Sequence, residues 1–286
     1  MTDAATTVTP EKSVTVNIAR PWALRTAVVA ATITAVLHTF AQATPIIDAL
    51  MTHNATAESQ QGLRMMWHGM SAIVWTYPVA LLLLARMPAA VTRPALGYLA
   101  LLNGAQAVLY LAAGLWTDGA SGLKSLPQWI FHAVVAGLAL SARPPRPPEF
   151  AQPPVRRHRW QRIVLWLSLI VGSLNAIVHT VLATSQGWPV ALLDSDTPSP
   201  AKPSLYATWL FSCVVFIAVP ATVAWSLRSD PAAARFIVRY TAALVATLAV
   251  SWSAAMVFGL GHDLTPIGPL SLTLLATLTA LGTPPR

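Results

Sequence analysis

The apolar residues of this chain fall into eight blocks, most of them near the ~20 residues that an α-helix needs to cross ~30 Å of hydrocarbon, with charged residues confined between them. The blocks run Trp22 to Gln42, Met65 to Ala85, Pro94 to Leu115, Leu126 to Ser141, Trp160 to Thr184, Leu205 to Leu227, Ala234 to Leu260 and Ile267 to Leu281. Only 10% of the 286 residues are charged and 55% are apolar, whereas a soluble domain carries about a quarter charged residues. The pattern predicts an all-α membrane protein of eight transmembrane helices. The fourth and eighth blocks are short, so they are the ones that a re-entrant or interfacial reading would demote.

Charge gives an independent test. If both termini lie in the cytoplasm, fifteen of the eighteen Lys and Arg fall on that side, among them Arg86, Arg93, Arg143, Arg228, Arg235 and Arg239. Only Arg64, Lys124 and Lys202 lie outside. This alternation is what the positive-inside rule requires, and removing any one span would put basic loops on the wrong side downstream. The net charge of +8 therefore reports topology, and no folded basic face for nucleic acid is expected. Trp67, Trp116, Trp129 and Trp188 fall near the outer boundary and Trp22, Trp160 and Trp225 near the inner one, so most tryptophans read as interfacial anchors. The single Cys213 falls within a predicted helix and excludes an internal disulfide. The first apolar block is too long for a cleaved leader, and Arg outnumbers Lys as in GC-rich bacterial genomes. A bacterial inner membrane is the expected location.

The sequence also repeats itself. Ala35, His38 and Thr39 recur as Ala176, His179 and Thr180, an offset of 141 residues; Trp67 and Pro78 recur as Trp209 and Pro220; Gly114, Leu115 and Asp118 recur as Gly259, Leu260 and Asp263. Matches in the same order at matching places in successive spans predict a tandem duplication. The first four-helix repeat covers 1–142, a cytoplasmic linker covers 143–159 and the second repeat covers 160–286. An even number of spans per unit keeps the repeats in one orientation. The linker holds six prolines, which favour an extended spacer, and five arginines, which favour anionic lipid headgroups.

The repeat unit, with His38 late in its first helix and Trp67-His68 opening its second, resembles small four-span bacterial integral membrane proteins. The resemblance implies the four-helix unit and no activity.

No Asp or Glu lies deep in any block, which argues against a proton- or cation-coupled transporter. Histidine is the ionisable type that remains. His38, His68 and His132 fall on three helices at one depth, roughly 5 to 9 Å below the outer boundary at 1.5 Å per residue. Asn103, Gln106, Tyr110 and Gly114 share one face of the third span, and Asp118 lies at its outer end. The second half keeps His179, with Ser168, Gly172 and Asn175 on its face, but has Leu210 and Leu274 where the first half has His68 and His132. The candidate site is therefore in the first half, with His38, His68, Gln106, Tyr110 and His132 as ligand-binding residues.

Two imidazoles at one depth can hold a b-type haem axially, and His38, His68 and His132 together can hold a transition metal. A small-molecule ligand is the broader expectation. The alternatives are a small-solute permease, with Pro78 and Pro220 breaking spans 2 and 6 at matching depths, and a non-catalytic assembly or scaffold protein. No hydrolase, phosphate-binding or covalent-haem motif occurs, so enzymatic activity of the soluble-domain kind is not expected.

Overall fold

The computed structural model describes residues 20–53, 56–145, 157–229, 231–257 and 267–283. Every regular element among them is helical. The first apolar block forms α1 (Pro21–Val36), then a π-helical turn, π1 (Leu37–Ala41), then α2 (Ala43–Thr52). There follow α3 (Ala57–Leu84), α4 (Ala89–Ser125) and α5 (Gln128–Ser141). The second part opens with α6 (Arg159–Ile177), a second π turn, π2 (Val178–Leu182), and the short α7 (Ala183–Gln186) and α8 (Trp188–Asp194). It closes with α9 (Ala201–Arg228), α10 (Pro231–Val257) and α11 (Ile267–Leu281).

Six helical stretches are long and apolar enough to cross a membrane: Pro21–Thr52, Ala57–Leu84, Ala89–Ser125, Arg159–Asp194, Ala201–Arg228 and Ala233–Val257. The short α5 and α11 account for the other two apolar blocks. Their 14 and 15 residues span about 21 to 23 Å as helix, less than the hydrocarbon thickness. Large apolar side chains face outward in stripes. On α6, Ile163, Leu167, Ile170 and Leu174 follow helical spacing and are all exposed. Water does not tolerate such stripes, whereas lipid does, and the chain is accordingly a polytopic helical membrane protein.

Packing decides which helix faces are polar. Helices α3, α4, α9 and α10 form the centre. Around them, α5 packs on α1 and α4, while α11 packs on α6 and α10. The chain reverses within α4 at Gly119, whose φ of 56° is open to glycine and strained for other residues. Three residues later a Cβ on Gly122 would overlap the Gly114 carbonyl, and a Cβ on Gly114 would lie 2.9 Å from the Gly122 oxygen. Two glycines thus let the backbones touch where α5 begins its return. At its far end, Arg143 donates through Nε to the Arg93 carbonyl at 3.2 Å, and Arg93 donates to the Pro144 carbonyl at 2.6 Å, tying the end of α5 to the start of α4.

Helix α11 makes the same return along α6. Asn175 accepts from Ser271 at 3.1 Å, Ser168 pairs with Thr279 at 2.7 Å, and Gln161 donates to the Thr283 carbonyl at 3.2 Å. The face Ser168, Gly172 and Asn175, polar by sequence, is therefore the seam for α11. The segment with Gly259, Leu260, His262 and Asp263 and most of the Pro/Arg-rich linker lie outside the described residues.

Candidate functional site

The two His-Thr pairs that recur in the sequence, His38-Thr39 and His179-Thr180, sit in π turns. In π1 the Gln42 N–H reaches the Leu37 carbonyl at 3.0 Å, and in π2 the Ala183 N–H reaches the Val178 carbonyl, each five residues back. Such bulges insert a residue into the helical turn and occur often at functional sites. Each presents its histidine to a tryptophan. His38 stacks on Trp67 at 4.2 Å and 16°, and His179 stacks on Trp209 at 4.5 Å and 23°. Trp67 and Trp209 are 0% and 2% exposed, so the expectation that Trp67 is an interfacial anchor is corrected: it is a core residue. Trp116, 63% exposed, and the exposed Trp22 and Trp160 do face outward as anchors would.

The first-half residues split. His38, Gln106, Tyr110 and His132 are all buried, as are Asn103 and Thr34. His132 stacks parallel to Tyr110 with centroids 6.0 Å apart. Asn103 gives its amide N–H to the Leu99 carbonyl at 3.0 Å, which turns its oxygen toward His132 Nδ1 at 3.1 Å. A carbonyl oxygen only accepts, so His132 carries its proton on Nδ1 and keeps Nε2 as a lone pair. That Nε2, both ring nitrogens of His38 and Nε1 of Trp67 are buried without a protein partner. Gln106 accepts from the Tyr77 hydroxyl at 3.3 Å, and Tyr110 pairs with Thr208 of the other half at 3.1 Å.

His68 does not join them. It is exposed, because Trp67 takes the inward face of α3 and neighbouring helical residues point about 100° apart. Among the described residues no three His, Cys, Asp or Glu side chains gather as a metal site would need, so the three-histidine arrangement of His38, His68 and His132 is not assembled. Asp118 likewise stays at the surface, where it accepts from Ser199 in the segment before α9.

An aromatic-walled open space lies beside His179. A cavity of about 530 Å³ is lined by His179 and Asn175 of the α6–π2 segment, Trp188 of α8, Trp209 of α9, Trp252 of α10 and Ser271 of α11, with Glu58 of α3 among its wall residues. Two of its three tryptophans are seated by glycines. A Cβ on Gly62 would lie inside the Trp188 indole, and one on Gly268 would come within 2.7 Å of the Trp252 ring. Ser212 donates to the Trp209 carbonyl at 2.6 Å and so accepts from His179, whose Nε2 lies 2.7 Å away. His179 thereby holds its proton on Nε2 and keeps Nδ1 as an acceptor. The Trp209 N–H is bound by Thr184 at 3.0 Å, whereas the Trp252 N–H is buried with no protein acceptor.

Reading by sequence missed this cavity because one of its walls, Trp188, fits an interfacial anchor, and because the second half looked depleted of polar residues. The available signal was the pair Asn175 and His179 on one helix face. Comparison with protein families, curated proteins and solved structures finds no match to this chain.

Proposed function

We propose that this is a small-molecule-binding membrane protein whose ligand site is the His179 cavity. The observation that carries the reading is the cavity: its volume falls within the ~300–1,000 Å³ of small-molecule sites, and it has their mostly apolar and aromatic lining with a few convergent polar groups. The first half, with His38 closed against Trp67, is then the supporting half, the reverse of the assignment made from sequence polarity.

We further propose that the chain is a tandem duplication with eight spans, an outer-facing cavity and both termini in the cytoplasm of a bacterial inner membrane. The two π turns support the duplication, lying 141 residues apart and each stacking a histidine on a tryptophan. So does the packing, which is preserved when α1, α3, α4 and α5 are exchanged for α6, α9, α10 and α11: α3 packs on α10 as α9 packs on α4, and α2 packs on α9 as α8 packs on α3. The return of α5 to Arg93 and of α11 to Gln161 supports full crossings by both short helices.

Topology is tested with single cysteines in a Cys213→Ser background. A membrane-impermeant maleimide should label Ser121→Cys in intact cells and Ser141→Cys only after lysis. Labelling of both from outside would reduce α5 to a re-entrant segment. The ligand reading is tested by titrating purified full-length protein with cationic, neutral and anionic lipophiles while following tryptophan fluorescence. At least one class should quench saturably, and Ala183→Phe, which pushes a phenyl ring in from the cavity wall, should abolish the saturable part. Absence of any saturable quenching, or quenching that survives Ala183→Phe, would remove this reading.

A further inference from the structure

The His179 cavity has a charge pattern as well as a volume. Glu58, in the first turn of α3, is the one formally charged side chain among its described lining residues. It accepts the Trp188 indole N–H at 3.3 Å, which holds the carboxylate against the aromatic wall. Trp188 crosses Trp209 at 74° with centroids 5.8 Å apart and Trp252 at 54° with centroids 6.3 Å apart. Three indoles set at steep angles wall a space rather than fill it as a stack would.

Aromatic faces carry negative electrostatic potential, and a carboxylate adds a full negative charge, so both favour a cation and disfavour an anion. No Lys or Arg is among the described lining residues to offset them. The rim tells where such a ligand enters. Leu174, Val178 and Ile267 line the cavity and are also exposed, so its rim is apolar and suited to contact with lipid. The unpartnered Trp252 N–H adds a donor for a ligand oxygen.

We infer that the cavity binds lipophilic organic cations: an apolar body carrying an ammonium or phosphonium head, held between Glu58 and the indoles of Trp188, Trp209 and Trp252 and admitted from the bilayer. This rests on the reading of the cavity as the ligand site and adds the ligand class. The cationic head comes either from a choline lipid or from a free lipophilic amine, which share the same recognition chemistry.

The test uses full-length protein in nanodiscs of phosphatidylglycerol, with binding to empty discs subtracted. Tetraphenylphosphonium should bind saturably, and tighter by about tenfold or more than neutral triphenylphosphine oxide, as expected of a cation that meets several indole faces beside the exposed Glu58 carboxylate. Glu58→Gln keeps an oxygen for the Trp188 N–H but removes the charge. It should weaken tetraphenylphosphonium by about tenfold, a cost of about 1.4 kcal/mol, and leave triphenylphosphine oxide unchanged. Mixing phosphatidylcholine into the discs distinguishes the sources: competition assigns the site to the lipid headgroup, and its absence assigns it to free lipophilic cations; both sustain the class. Equal affinity for the two probes, or no effect of Glu58→Gln on the cation, overturns the cation inference while leaving the cavity a ligand site. Saturable binding of neither probe overturns both.

Discussion

Gly122→Ala should destabilise the protein by about 3 kcal/mol or more, at the upper end of what overpacking costs, because the new Cβ meets backbone and not a movable side chain. The Gly114 carbonyl it would overlap belongs to α4 itself, and the turn at Gly119 between them leaves neither strand of the reversal room to withdraw. Thermal unfolding in detergent reads the effect. Gly104→Ala and Gly137→Ala are the controls: an added Cβ there meets nothing within 4 Å, and both lie inside helices, where alanine is preferred by roughly 0.5–1 kcal/mol. A Gly122→Ala variant as stable as these two would show that the reversal tolerates a side chain and that the close approach is not required.

The second large effect is expected at Trp209. Its indole stacks on His179, donates to Thr184, meets Trp188 and walls the cavity, so Trp209→Ala should cost about 3–5 kcal/mol, as large-to-small changes of buried aromatics do, and should abolish saturable ligand quenching. Trp116→Ala, on an indole that faces outward, should stay within about 0.5 kcal/mol. Comparable losses at the two positions would mean that Trp209 is no more structural than an interfacial anchor. Trp209→Phe separates wall from fold: it retains much of the packed ring but not the donor to Thr184, so it should recover most of the stability.

Trp67 and the cavity tryptophans show where sequence reading stops. Hydropathy located the membrane helices because span length is a one-dimensional constraint, and the face Asn103, Gln106, Tyr110 is buried as its spacing predicts. The match of His38 with His179 was legible and each is found in the same unusual turn. What could not be read was which of two adjacent residues wins a helix face. Trp67 and His68 cannot both point inward, and burial of the larger indole against His38 decides in its favour. The cavity was illegible for a related reason. It is a property of five helices and α8 meeting, with Gly62 clearing space for an indole more than a hundred residues later in the chain and Gly268 for one sixteen residues earlier. Polarity counts along one helix hold no information about space left between several.

The exchange of α2 and α8 between the halves bears on how the protein is assembled during synthesis. Helix α2 finds its seat on α9, which is made more than a hundred residues later, and α8 returns the favour by seating on α3. The two contacts form a reciprocal clasp, and the cavity beside His179 needs both halves for its walls, since Glu58 and Gly62 come from the half made first and the indoles from the other.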